Sequence, residues 1–135
     1  MSTPTALLPL ALVFAACSSS GAPTQSPEPA EPLEVTDIVG TWAIDLRQAP
    51  SDEAASTVLV IESVDDGVLA GSFYQSPVSQ GRIKAIGGEV CFSFVTEDGS
   101  GPYLTAGRLG PDGGLKGMTN STGRDFLNVW TGVRE

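Results

Sequence analysis

Histidine is absent from this sequence, and basic residues are scarce. Without histidine, the chain can form neither a Ser-His-Asp or Cys-His catalytic arrangement nor a zinc site with histidine ligands. Seven Lys and Arg residues against sixteen Asp and Glu residues give a formal net charge of −9, so binding to a nucleic-acid backbone is not expected. Because no general base is found outside turn signals either, the chain is predicted not to be an enzyme, and no metal or cofactor is predicted.

The length and composition predict one small folded domain. A chain of 135 residues has room for little more than one hydrophobic core. Hydrophobic residues make up 41% of the chain and charged residues 17%, so the chain as a whole is not disordered. The 16 glycines and 10 prolines favour a fold with many turns.

Residues 1–16 have the pattern of an export signal. An apolar run extends from Ala6 to Ala16 and is broken by Pro9. It is too short to span a bilayer, which needs about 20 apolar residues, but it fits the apolar core of a signal peptide. The residues before it carry no Lys or Arg, which departs from the usual positive start.

The apolar run ends in Val13-Phe14-Ala15-Ala16-Cys17. This segment resembles the lipobox of bacterial lipoproteins, in which small residues precede a cysteine that becomes lipidated. The resemblance implies that Cys17 carries a lipid anchor such as palmitate. The alternative is an ordinary secretory signal with an incidental cysteine. With Cys17 lipidated, Cys91 has no partner for an internal disulfide.

Residues 17–36 form the predicted tether after the lipidated cysteine. The segment is rich in Ser and Pro and poor in large apolar side chains, so it is expected to be disordered and to hold a domain away from a membrane. Together with the lipobox, it predicts a membrane-anchored protein of the cell envelope. By the same resemblance, Ser18 after the cysteine implies the outer membrane in a Gram-negative cell.

Residues 37–135 have the pattern of an all-β domain. Apolar and polar residues alternate in short runs that are separated by turn signals. The predicted strands lie near residues 38–47, 56–64, 68–75, 80–86, 89–97, 103–109, 114–119 and 125–134. Tight Gly-rich turns alternate with longer connections along the chain, so an up-and-down arrangement would have one closed end and one open, loop-rich end.

Closing these strands into a small antiparallel β-barrel of about eight strands would remove the exposed sheet edges. Glycines recur inside the predicted strands, where they usually mark bends or close backbone contacts. These are Gly40, Gly71, Gly81, Gly107, Gly117 and Gly132. The alternation assigns one apolar face to the barrel interior. It comprises Ile38, Gly40, Trp42, Ile44, Leu46, Leu59, Ile61, Leu69, Gly71, Phe73, Ile83, Val90, Phe92, Phe94, Leu109, Leu115, Phe126, Trp130 and Gly132.

Gly40-Thr41-Trp42 opens the first predicted strand, and Arg134 lies in the last one. This combination resembles the calycin superfamily of lipocalin-like barrels, which carry Gly-x-Trp on the first strand. The resemblance implies that Arg134 packs over Trp42 at the closed end. Residues 66–73 are also similar to a hairpin of the avidin branch. Biotin binding does not carry over, because Ile44 stands where that branch has an asparagine.

The open end is the predicted site for a small hydrophobic ligand. Its inward-facing side chains are aromatic with a few polar groups, a composition typical of small-molecule sites. They are Phe73, Gln75, Phe94, Tyr103, Phe126 and Asn128. The alternative is a structural or protein-interaction barrel whose aromatic side chains fill the core. The carboxylate pairs Asp65-Asp66 and Glu97-Asp98 lie beside glycines, which favours a role in turns over catalysis or calcium binding.

The outward-facing positions of the first, second and last predicted strands are mostly apolar. They are Val39, Thr41, Ala43, Val58, Val60, Leu127, Val129, Thr131 and Val133. Soluble monomers seldom expose a large apolar surface, so a partner is expected here, most simply a second copy of the chain. The alternative is that these β-branched residues serve strand propensity alone. Light scattering on the purified protein distinguishes the two.

Overall fold

The computed structural model describes residues 2, 4 and 32–135. The predicted signal peptide, apart from those two positions, lies outside the described residues. So do Cys17 and the tether as far as residue 31. The remaining residues form an all-β domain preceded by a 3-10 turn, Val35–Ile38.

Nine strands follow this turn in the described part of the chain. They are β1 (Gly40–Asp45), β2 (Ser56–Asp65), β3 (Val68–Phe73), β4 (Ser76–Pro77), β5 (Ser79–Ile86), β6 (Glu89–Asp98), β7 (Gly101–Leu109), β8 (Leu115–Ser121) and β9 (Phe126–Arg134). They form one antiparallel sheet in the order β4-β3-β2-β1-β9-β8-β7-β6-β5.

This order is an up-and-down meander that curls into a nearly closed barrel. The first and last long strands, β1 and β9, pair directly, with Trp42 opposite Arg134. The remaining seam lies between β3 and β5, where the Ile83 N–H donates to the Gly67 carbonyl at 3.1 Å. The prediction of an all-β barrel of about eight strands is confirmed; the ninth strand, β4, is a two-residue segment just before β5.

The interior of the barrel follows the alternation of the sequence, because each strand turns every second side chain inward. Fourteen hydrophobic residues of the described part of the chain are buried, and all of them belong to the predicted inward face. They are Ile38, Trp42, Ile44, Leu59, Ile61, Leu69, Phe73, Ile83, Val90, Phe92, Phe94, Leu109, Leu115 and Trp130. The core therefore runs from the 3-10 turn at the closed end to the aromatic residues near the open end.

The folded part begins earlier than the predicted boundary at residue 37. Leu33 and Val35 pack against the core, although the sequence places them in the tether. The first strand begins at Gly40, because residues 35–38 form a 3-10 turn, in which the Asp37 carboxylate accepts a hydrogen bond from the Glu34 N–H at 2.7 Å. Ile38 is buried as predicted, but from this turn and not from a strand.

The prediction that tight turns and longer connections lie at opposite ends of the barrel holds only in part, because a two-residue turn joins β6 to β7 at the open end and a five-residue connection joins β7 to β8 at the closed end. The β2–β3, β5–β6 and β7–β8 turns share the end of Trp42 and Arg134. The open end is less rich in loops than predicted. Only residues 46–55 form a long connection there, and residues 99–100 suffice between β6 and β7.

The predicted apolar outer surface is partly exposed. Ala43 lies between Val58 and Val133 in the sheet, and both valines are exposed. Val39, Leu127 and Val129 are exposed as well, whereas Thr41, Ala43 and Val60 are half-buried. The exposed side chain of Met118, opposite Val129 on β8, extends this surface. That a second copy covers it stays a prediction.

Candidate functional site

A pocket of about 580 Å³ opens at the end of the barrel opposite Trp42. Strands β3, β6, β7, β8 and β9 contribute to it, together with the turns at this end. Its lining residues are Phe73, Tyr74, Ser76, Thr96, Asp98, Tyr103, Thr119, Arg124, Phe126 and Asn128. The volume is within the range of small-molecule sites.

Two cross-strand rows of inward-facing residues give the pocket its depth. The deeper row runs across β6, β7, β8 and β9 and comprises Phe94, Thr105, Thr119 and Asn128. The row nearer the mouth comprises Thr96, Tyr103, Ser121 and Phe126. Neighbouring rows on one face of a sheet are about 7 Å apart. The deeper row therefore presents polar side chains at the floor, below the aromatic side chains at the mouth.

Four of the six predicted ligand-binding residues line this pocket: Phe73, Tyr103, Phe126 and Asn128. Phe94 lies behind the lining and is fully buried, with its ring 5.7 Å from that of Phe73.

Gln75 does not line the pocket, and its inward placement is corrected. Strand β3 ends at Phe73, and both Tyr74 and Gln75 have positive φ angles, so the strand alternation stops before Gln75. Gln75 is consequently exposed.

The sequence reasoning missed several lining residues. Thr96 and Thr119 have the inward phase of their strands, so the alternation that identified Asn128 also identifies them. Asp98, the last residue of β6, also has the inward phase of its strand, whereas Arg124 lies in the β8–β9 connection, where strand alternation does not predict the direction of a side chain. Tyr74 lines the pocket from the irregular backbone between β3 and β4, and Ser76 lines it from the first position of β4.

Below the pocket, aromatic rings close the barrel interior. The Phe73 ring lies 5.8 Å from that of Trp130, and its contact with Phe94 is edge-to-face. Phe92 stacks parallel to Phe94 at 6.1 Å. Edge-to-face and offset contacts of this kind are favourable, so these rings form a stable base under the open end. The barrel is thus filled in its closed half and open in the other.

A buried hydrogen-bond network lies at the pocket floor. The Trp130 indole N–H donates to the Thr119 hydroxyl at 3.1 Å, and the Thr105 and Thr119 hydroxyls are 3.0 Å apart. Thr105 is fully buried, while Thr119 lines the pocket. The network fixes the Thr119 side chain, because its oxygen is held by two neighbouring strands.

The mouth carries one acidic and one basic side chain in different environments. The Asp98 carboxylate accepts hydrogen bonds from the Ser100 N–H at 2.7 Å and from the Tyr103 hydroxyl at 2.9 Å. These bonds, the first more than the second, hold the pKa of Asp98 below its ordinary value, so the group stays ionised. The Arg124 guanidinium lies 5.2 Å from the centre of the Phe126 ring.

The residues predicted for the closed end meet one another there. The Arg134 guanidinium lies 4.3 Å from the centre of the Trp42 ring. It donates to the Val39 carbonyl at 2.8 Å and to the Asp37 carbonyl. The Trp42 indole N–H donates to the Ile38 carbonyl at 2.9 Å. Gly40 leaves room for the guanidinium, since a Cβ atom there would lie 2.5 Å from Nη1 of Arg134.

No protein-family model, curated protein or solved structure matches this chain. Its function therefore has to be inferred from the residues and the geometry of the pocket. Among the described residues, no three acidic or cysteine side chains converge as metal ligands. Within the same part of the chain, no helix is long and apolar enough to cross a membrane.

Proposed function

We propose that this chain is a membrane-anchored lipoprotein of the bacterial cell envelope whose barrel binds a small hydrophobic molecule at its open end. The observation that carries the binding role is the pocket, which combines the Phe73, Tyr103 and Phe126 rings with polar groups at its floor. Such a lining buries an apolar ligand and orients it. The lipobox-like segment ending in Cys17 supports the anchor and the export.

Two features favour binding over catalysis. The Asp98 carboxylate is the one acidic group of the pocket lining, and both of its oxygens already accept hydrogen bonds. Its lowered pKa makes it a poor general base. The contact between Trp42 and Arg134 supports kinship with the calycin superfamily, where a barrel closed at one end is the expected frame for such a site.

A second candidate is a structural or protein-interaction barrel without a ligand. The exposed apolar side chains of Val58, Leu127, Val129 and Val133 favour it, because they offer a surface to a partner such as a second copy. The tightly packed Phe73, Phe94 and Trp130 rings would in that case serve the core alone.

Ligand binding is tested with the uncharged dye N-phenyl-1-naphthylamine and a protein that begins at residue 32. We expect the dye to become strongly fluorescent in the pocket. Replacing Phe126 by Ala removes an apolar wall and should weaken dye binding about tenfold. Leu127→Ala is the matched control, because Leu127 is the next residue and is exposed on the outer face. Dye fluorescence equal to that in buffer would favour the ligand-free barrel.

The lipid anchor is tested by metabolic labelling with a radioactive or clickable palmitate. In a bacterial host, the wild-type chain should incorporate the label and fractionate with membranes. Cys17→Ala should abolish both, because the thiol is the attachment point for the lipid. Cys91→Ala is the matched control and should be labelled like the wild type. Equal labelling of the Cys17→Ala chain would show that Cys17 is not the anchor.

A further inference from the structure

The side chains of Thr96, Thr119 and Asn128 face the pocket, and each has hydrogen-bonding capacity that the protein leaves unused. Within the part of the chain that the structure describes, the Thr96 hydroxyl and the Asn128 amide have no protein partner. Thr96 is only 5% exposed. Every fully buried side-chain polar atom among the described residues has a partner, so the Thr96 hydroxyl must reach the space of the pocket. These groups are available to a ligand.

Thr119 adds a hydrogen-bond donor at the pocket floor. Thr105 is 0% exposed, and Thr119 is the partner of its hydroxyl. The distance allows either hydroxyl to donate; we take Thr105 as the donor, because its buried proton would otherwise lack an acceptor, which is destabilising. The Trp130 N–H donates to the same oxygen. Both acceptor positions of the Thr119 oxygen are then filled, and its own proton remains free to donate into the pocket.

Arg124 adds a positive charge at the mouth. The ion pairs of the described residues are Arg47–Asp45 and Arg108–Glu89, so Arg124 forms none within this part of the chain. Its neighbours are the Tyr103 hydroxyl and the Asp98 carboxylate, which raise the pKa of the guanidinium, Tyr103 more than Asp98. Asp98 itself accepts hydrogen bonds from Ser100 and Tyr103. The Arg124 guanidinium lies over the Phe126 ring, at the edge of the apolar wall. It can therefore receive an anionic group of a ligand whose body lies against that wall.

We infer that the pocket selects an elongated organic carboxylate that also carries a carbonyl-type acceptor at its other end. Its flat apolar body lies between Phe73 and Phe126. The acceptor at the inner end accepts a hydrogen bond from the Thr119 hydroxyl, and the carboxylate at the outer end pairs with Arg124. This inference rests on the proposed ligand-binding function. The floor offers the Thr119 proton, whereas the mouth offers the Arg124 guanidinium beside the Asp98 carboxylate, so the two ends of the pocket favour different groups. A purely hydrocarbon ligand would leave the Thr119 proton unpartnered, which costs affinity.

The test uses three probes with the same naphthalene body and the full chain in lipid nanodiscs, with empty nanodiscs as the reference. The first probe, 6-acetyl-2-naphthoate, carries both groups. The second, 6-isopropenyl-2-naphthoate, lacks the inner acceptor, and the third, the methyl ester of the first, lacks the charge. By titration calorimetry, the first should bind wild type several-fold more tightly than the second and about tenfold more tightly than the third.

Variants test whether Thr119 causes the preference for the acetyl group and whether Arg124 causes the preference for the carboxylate. Thr119→Val should abolish the preference for the acetyl over the isopropenyl probe, whereas Thr119→Ser should keep it. Arg124→Gln should abolish the preference for the carboxylate over the ester. Arg108→Gln is its matched control, because Arg108 lies in the row of Cys91 and Lys116, towards the closed end. It should keep the wild-type preference.

The comparison of the three probes on the wild-type protein tests the inference even if Thr119→Val fails to fold. Equal binding of all three probes would overturn the inference and leave the proposed ligand-binding function intact. Binding of neither these probes nor N-phenyl-1-naphthylamine would overturn both. Preferences that persist in Thr119→Val and Arg124→Gln would show that other residues recognise the two groups, and would also overturn the inference.

Discussion

Replacing Trp42 by Ala is expected to lower the free energy of unfolding by about 3–5 kcal/mol, because it removes a large, fully buried ring from the closed end of the barrel. The change also leaves the Ile38 carbonyl without the indole N–H that it accepts. The Arg134 guanidinium loses the ring beneath it. Denaturant unfolding followed by circular dichroism measures the effect.

Arg134→Ala provides the graded comparison for this prediction. It should destabilise the protein less than Trp42→Ala but clearly more than Arg108→Ala. Arg134 contacts the Trp42 ring and two backbone carbonyls, whereas Arg108 forms one ion pair, with Glu89 at 3.7 Å. Equal unfolding midpoints for Arg134→Ala and Arg108→Ala would contradict the view that Arg134 stabilises the closed end.

Gly81→Val is expected to destabilise the barrel by about 3 kcal/mol through the seam between β3 and β5. A Cβ atom at Gly81 would overlap the Leu69 carbonyl oxygen, and backbone cannot move aside as a side chain can. The seam has few backbone hydrogen bonds to hold it, among them the one from Val78 to Gly71 at 2.9 Å. Thermal and denaturant unfolding of the variant measure the loss.

Gly99→Val is the matched control for the seam. Gly99 lies in the β6–β7 turn, an added Cβ there meets nothing within 4 Å, and its backbone has no positive φ. The same Gly-to-Val change should therefore leave stability nearly unchanged. A Gly81→Val protein as stable as Gly99→Val would mean that β3 and β5 are not closely packed in solution.

The strands and their buried faces could be predicted from the sequence because alternation is a local property of the chain. Trp42, Phe92 and Trp130 are buried for the same reason, since each lies on the apolar phase of its strand. The 3-10 turn at Val35–Ile38 was not predictable in this way. The sequence places Val35 in the tether and Ile38 at the start of the first strand, whereas the packing of Ile38 in the core fits the turn conformation.

The end of the strand alternation at Tyr74 and Gln75 could not be predicted from the sequence either. Positive φ is rare for residues other than glycine, and neither side chain signals it. The ligand pocket was predictable only where strands form it. Phe126 and Asn128 follow from alternation, but Arg124 reaches the mouth because of the path of the β8–β9 connection. Loop paths depend on contacts that are distant in sequence, so no local pattern reveals them.

The chain enters the barrel at its closed end. Leu33, Val35 and the 3-10 turn lead into β1 at that end, and Glu135 also ends there, with its N–H donating to the Thr41 carbonyl at 3.0 Å. This sealed end lies opposite the mouth of the pocket. A tether that leads to Cys17 would therefore start away from the mouth and leave the path of a ligand into the pocket clear.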